Sequence, residues 1–113
     1  AVQDANAMRE RFGYTHVQFR QGDAEAVLPA WADRGERFDV VIVDPPRAGL
    51  HPKALAALVR MSPRLIVYVS CNPVTLAANL ADLSSSGYRI GAAHPVDLFP
   101  HTPHIETVVR LEK

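Results

Sequence analysis

Apolar positions along the chain switch between two periods. From 1 to 12, Val2, Ala5, Met8 and Phe12 recur at helical spacing, and Gly13 stops the run. Residues 15–20 alternate with β-branched and aromatic side chains and predict a short strand. Gly22-Asp23 turns the chain, and 24–28 predicts a short helix ended by Pro29. Residues 38–43 are apolar apart from Asp39, the pattern of a strand buried on both faces of a parallel sheet. Residues 52–61 read as a helix with proline in its first turn and Leu55, Leu58 and Val59 on one face. A second buried strand is expected at 65–69. The next helix, at 73–84, carries Leu76, Leu80 and Leu83, with Gly87 just beyond it. Two closing strands, 88–93 (extendable toward Leu98) and 105–111, are expected to run antiparallel to each other. Helices alternating with strands predict an α/β layered fold on a largely parallel sheet.

Composition bounds the function. The chain has 113 residues, the size of one domain, and 48% of them are hydrophobic, enough for a real core. Twelve basic residues balance twelve acidic ones, so no net charge points to RNA or to an anionic membrane. Cys71 is the single cysteine, which excludes an internal disulfide and fits a cytoplasmic protein. Pro, Gly or charge interrupts every apolar stretch before it reaches membrane-spanning length. Charges at Asp4, Arg9, Glu10 and Arg11 exclude an apolar signal-peptide core at the start.

In open α/β sheets ligands bind beyond the C-terminal ends of parallel strands. Two such ends are unusual here. Asp44 closes one strand and precedes Pro45-Pro46, which stiffen the backbone and aim the carboxylate off the sheet; the plainer reading is a turn after a strand. Cys71 closes the other and precedes Asn72-Pro73, a helix start whose positive dipole end would attend the sulfur. The bland alternative is that Cys71 is inert core filler. Glu106 lies in a strand-like run beside Val108 and Val109, as a general base or as a solvent-facing residue on an edge strand. His101 and His104 have too few companions for a metal site, so turn histidines or phosphate contacts fit them better. Arg47 suits a phosphate, a carboxylate, or hydrogen bonds that hold its loop. Trp31 and Tyr88 are most simply core or rim aromatics.

The stretches DPPRAGL (44–50), SCNPVTLAANL (70–80) and DLFPHTPHIETVV (97–109) resemble, in order and spacing, the S-adenosylmethionine-dependent RNA uracil-5-methyltransferases. The segment DANAMRERFGYTHVQFRQGDAEAVL is similar to the same family less specifically. The resemblance implies a Rossmann-like class I methyltransferase fold, mostly parallel with a C-terminal antiparallel strand pair. It implies methyl transfer to carbon 5 of a uridine in rRNA or tRNA through a covalent cysteine adduct. Cys71 matches the nucleophile and Glu106 the base; Asp44, Pro45 and Asp23 match the cofactor side. Arg47, Asn72 and Pro73 match residues that order the loops, with His101 and His104 near the substrate. No metal is implied. The target base must leave its stack to reach such a pocket.

The family's glycine-rich cofactor loop has no counterpart among the six scattered glycines. The expectation is therefore that 1–113 is the C-terminal part of a catalytic domain whose first strands lie elsewhere. Such a piece should bind S-adenosylmethionine weakly, be inactive alone, and rely on other regions to grip RNA. The strand near Val17 would lack its neighbour, so a rearranged sheet or a dimer through that edge is expected. Amino-directed adenine methyltransferases share an Asp-Pro-Pro loop but follow it with an aromatic residue, where this chain has Arg47. Cytosine-directed RNA enzymes need a cysteine in different surroundings. A non-catalytic α/β binding module would leave Cys71 inert.

Overall fold

The computed structural model describes residues 2–13, 16–97 and 105–113. Within them the elements run α1 (Val2–Arg11), α2 (Ala24–Asp33), β1 (Val40–Val43), α3 (Pro52–Met61), β2 (Leu65–Ser70), α4 (Pro73–Ser85), β3 (Arg89–Val96) and β4 (Glu106–Glu112). The strands form one sheet in the order β1-β2-β4-β3. β1 and β2 are parallel, whereas β4 runs antiparallel to both β2 and β3. The sheet is thus mixed rather than mostly parallel, because β4 enters between β2 and β3 instead of pairing with β3 alone. The expected antiparallel closing pair is present as β3–β4.

Alternation along the strands sorts the two faces. Val43, Ile66, Tyr68, Val109 and Leu111 point one way and pack with Leu55 and Leu58 of α3 and Leu76 and Leu83 of α4. A second cluster joins α2 to α3 through Ala32, Ala57 and Met61, with Leu28 and Trp31 against it. That contact explains why α2 continues through Pro29 to Asp33, past the expected stop. The proline costs one backbone bond, but Trp31 and Ala32 beyond it gain a partner helix.

Two strand expectations fail. Residues 16–20 form no strand. Among the described residues β1 bonds only to β2, so this segment has not joined its open edge. Alternating residues do not make a strand without a partner for their backbone groups. The unpaired edge on that side of the sheet is therefore that of β1, not of the segment near Val17. Nor is β1 buried on both faces: Val40 and Ile42 point away from α3 and α4, and Ile42 is 69% exposed. β3 is exposed along its length and tolerates Pro95 because it is an edge strand. No helix among the described residues is long and apolar enough to cross a membrane.

Candidate functional site

β1 and β2 end at the same rim, since Val43 pairs with Tyr68 in parallel register. Asp44 leaves the first strand there and Cys71 the second. Cys71 is half-buried, immediately before Asn72, which caps α4. The Asn72 side chain accepts from the Val74 amide at 3.0 Å, and Pro73 occupies the first turn, where a missing N–H costs nothing. Ser70 ties the Cys71 loop from the other side. Its hydroxyl accepts from the Asn72 amide at 3.0 Å and donates to the Asn72 carbonyl at 2.9 Å. Cys71 is held between these two anchors.

The register of β2 and β4 ends with Ser70 opposite Thr107. Cys71 follows Ser70 and Glu106 precedes Thr107, so both residues adjoin the same end of that strand pair. Glu106 is half-buried, and its Oε2 atom is buried with no hydrogen-bond partner among the described residues. A buried carboxylate oxygen without a donor is uncommon and calls for a reason.

The two rim loops are stitched together. The Arg47 carbonyl accepts from Asn72 Nδ2 at 2.9 Å and from the Thr75 hydroxyl at 2.8 Å. Arg47 thus joins the loops through its backbone rather than its guanidinium. The loop turns tightly, with the Gly49 amide donating to the Pro46 carbonyl at 2.8 Å and Gly49 at φ 81°.

A cavity of about 710 Å³ lies between this loop, β1 and the start of α2. Asp44 and Pro45 line it together with Val43, Leu50, Gly22 and Ala24. Asp23, between the last two, heads α2, yet its carboxylate makes no capping bond. Its side chain is therefore not engaged by the helix that it begins. Cys71 and Glu106 do not line this cavity; they stand further along the rim. His101 and His104 lie outside the described residues. Among the described residues no three His, Cys, Asp or Glu side chains group as metal ligands.

The model of the tRNA (uracil-5-)-methyltransferase family matches residues 33–113, most of the chain and every rim residue from Asp44 to Glu106. The chain belongs to this family. An uncharacterized RNA methyltransferase of Lactobacillus johnsonii is 46% identical over 113 residues, the whole of this chain and 25% of that protein. One of Halalkalibacterium halodurans is 47% identical over 112 residues, 99% of the chain and 24% of that protein. The chain thus spans about a quarter of the length of the curated relatives it matches. Among solved structures, the Pyrococcus abyssi tRNA (uracil-54, C5)-methyltransferase in complex with S-adenosyl-L-homocysteine superposes with a TM-score of 0.71. It is 41% identical and covered over 26% of its length by 97% of this chain. The precorrin-6y C5,15-methyltransferase of Geobacter metallireducens, 18% identical at a TM-score of 0.67, shares the fold.

Within the segment matched by the tRNA (uracil-5-)-methyltransferase family, the structure adds residues that the sequence reading passed over. Asn79 is buried on the face of α4 that meets the rim loop. Its Oδ1 accepts from the Leu50 amide at 3.0 Å and from the Tyr68 hydroxyl at 2.5 Å. Burial pushes the Tyr68 phenol up; the Leu50 backbone opposes that shift and Cys71 adds to it. The hydroxyl therefore stays protonated and able to donate. The signal was available: an amide interrupts the Leu76, Leu80, Leu83 stripe, and a tyrosine sits in a buried strand.

Proposed function

We propose that the chain is the C-terminal part of the catalytic domain of an RNA uracil-5-methyltransferase working through a covalent cysteine adduct. The observation that carries this reading is the β2–β4 register, which ends with Ser70 opposite Thr107 and so leaves Cys71 and Glu106 at the same end of that pair, with no hydrogen-bond partner for the buried Glu106 Oε2 among the described residues. A thiolate at Cys71 adds to carbon 6 of a uracil, and the electron pair moves onto carbon 5 and the carbonyl oxygen beyond it. S-adenosylmethionine, when bound, supplies the electrophilic methyl group that carbon 5 takes. Glu106 then removes the remaining proton from carbon 5, the 5,6 double bond re-forms, and the sulfur leaves with its electron pair. The unengaged oxygen suits a base that must meet a C–H rather than a hydrogen-bond donor.

The chain's residues fit the cofactor. A cavity of about 710 Å³ lies in the size range of small-molecule sites. Its apolar walls at Val41, Val43 and Leu50 suit a purine ring. The carboxylate of Asp44, which lines the cavity, suits an ammonium group or an amino-substituted base, and Asp23 heads α2 beside the lining residues Gly22 and Ala24 without itself being one of them. Pro45 keeps the Asp44 backbone extended. The glycine-rich part of such a site is absent from the sequence, so the chain alone should bind the cofactor weakly. RNA, ribosomal or transfer, is the proposed partner in the cytoplasm, gripped largely by other regions of the full-length protein. The open edge of β1 is where a second copy of the isolated chain would add, and sedimentation would show a dimer if it does.

The test uses a full-length protein carrying this chain, S-adenosylmethionine and RNA containing 5-fluorouridine. Fluorine blocks the final proton removal, so the enzyme should stall as a denaturation-resistant protein–RNA adduct mapping to Cys71 and lost in Cys71→Ser. No adduct with any RNA, or one that survives Cys71→Ser, would sink the proposal.

A further inference from the structure

Three polar residues at the N-cap and along α4, Asn72, Thr75 and Asn79, fall at the i, i+3, i+7 spacing that places them on one side of the helix. All three bond to the loop that follows β1. Asn72 and Thr75 hold the Arg47 carbonyl, and Asn79 holds the Leu50 amide. Gly49 lies flat against this face, where a Cβ would come within 2.8 Å of Asn79 Oδ1 and 3.1 Å of the Thr75 Cβ. Leu50 and Gly49 are also walls of the cavity that begins at Asp44. Asn79 is not a wall of that cavity; it backs the loop from the opposite side, in the groove between α3 and α4.

We propose that Asn79, with Thr75, is a positioning residue for the methyl-donor side of the site. It fixes where the Asp44–Leu50 loop stands relative to the Cys71 loop, and acts through the Leu50 amide rather than by touching either reactant. This rests on the reading of the chain as part of a uracil-5-methyltransferase. Both bonds to Asn79 end on its Oδ1, so its working property is hydrogen-bond acceptance. The Tyr68 hydroxyl, fixed in a buried strand, orients the carboxamide so that Oδ1 faces the loop. The proposed consequence is selective: losing the acceptor frees the loop, which harms cofactor binding, while Cys71 keeps its own anchors at Ser70 and Asn72.

The test compares Asn79→Leu, Asn79→Asp and Thr75→Val in the full-length protein. S-adenosylhomocysteine binding is read by calorimetry, and the KM values for S-adenosylmethionine and for RNA are read separately. Asn79→Leu should weaken cofactor binding roughly tenfold or more, as expected when a buried donor loses its acceptor, with KM for RNA unchanged. Asn79→Asp, which keeps an oxygen acceptor, should restore most of that loss. Thr75→Val should shift cofactor binding in the same direction by less. A lower Tm in Asn79→Leu with cofactor affinity unchanged would overturn the proposal, as would Asn79→Asp being as defective as Asn79→Leu. If Asn79→Leu does not fold, Thr75→Val decides: unchanged affinity overturns the idea. Were the wild type inactive on every RNA, the functional reading would fail, while calorimetry would still read the positioning role.

Discussion

Gly49→Ala should be among the most damaging single-methyl additions in this chain, and its cost can be built from the structure. The first part is backbone strain. Gly49 sits at φ 81°, a conformation that costs an L-residue about 1 kcal/mol. The second part is the collision, with the new methyl 2.8 Å from Asn79 Oδ1. Asn79 cannot easily yield, because the same oxygen holds the Tyr68 hydroxyl and the Leu50 amide. The loop must lift instead, and stranding the half-buried Leu50 amide costs a further 1–3 kcal/mol or so. The expected destabilisation is about 2–4 kcal/mol. Gly35→Ala is the internal control: its φ is 76° with nothing within 4 Å of the added carbon. It should show only the strain part, about 1 kcal/mol. The assay is urea unfolding of both variants beside the wild type, read as the difference in midpoint at constant slope. If Gly49→Ala costs no more than Gly35→Ala, the tight seat of the loop on α4 is not real.

Other expectations follow from the same geometry. Asn72→Ala loses both the cap of α4 and the bond to the Arg47 carbonyl and should destabilise by about 1–2 kcal/mol. Asn72→Asp keeps the cap but cannot donate to Arg47, so its urea midpoint should stay near wild type while S-adenosylhomocysteine affinity, read by calorimetry, falls. Burial raises the phenol pKa of both Tyr68 and Tyr88 above the ordinary 10.0. Raised folded-state values mean that their contribution to stability is fully present below pH 10 and drains away as pH climbs through the folded values. Unfolding midpoints measured above pH 10 should therefore fall, less steeply in Tyr68→Phe than in the wild type. Ile66→Ala, at a fully buried position, should cost about 2–5 kcal/mol. Ile42→Ala, on the exposed side of β1 in this chain, should cost well under half of that in the same unfolding assay.

Much of the fold was legible because several elements carry their own reasons to form. α3 and α4 have proline in the first turn and a leucine stripe, and both appear where the periodicity puts them. β2 reads as a strand from its apolar run and lies at the centre of the sheet. The segment at 15–20 has the right residues but no neighbouring backbone, and a strand is defined by its neighbour. Pro29 marks a stop in isolation, yet the packing of Trp31 and Ala32 on α3 outweighs it. At the site, residue type and neighbours single out Cys71, Asp44 and Glu106 as candidates, and the structure brings the ends of β1 and β2, where Asp44 and Cys71 follow, to one rim. Which residue faces which is a matter of register, and register is set by long-range pairing that no local pattern records. The Asn79 clamp is hidden for the same reason: its partners lie 29 and 11 residues away along the chain.

β4 follows β3 in the chain yet lies between β2 and β3 in the sheet. Among the described residues β4 is the one strand that β3 bonds to, and it also takes the side of β2 away from β1. Pairing β4 with β2 joins parts of the chain 35 residues apart, the separation between Cys71 and Glu106, so it must await the loop-closure cost of a distant contact. Cys71 and Glu106 therefore come to the same end of the sheet only when β2 and β4 pair. A chain in which β2 and β4 have not paired carries Cys71, just past the end of β2, apart from Glu106 at the start of β4.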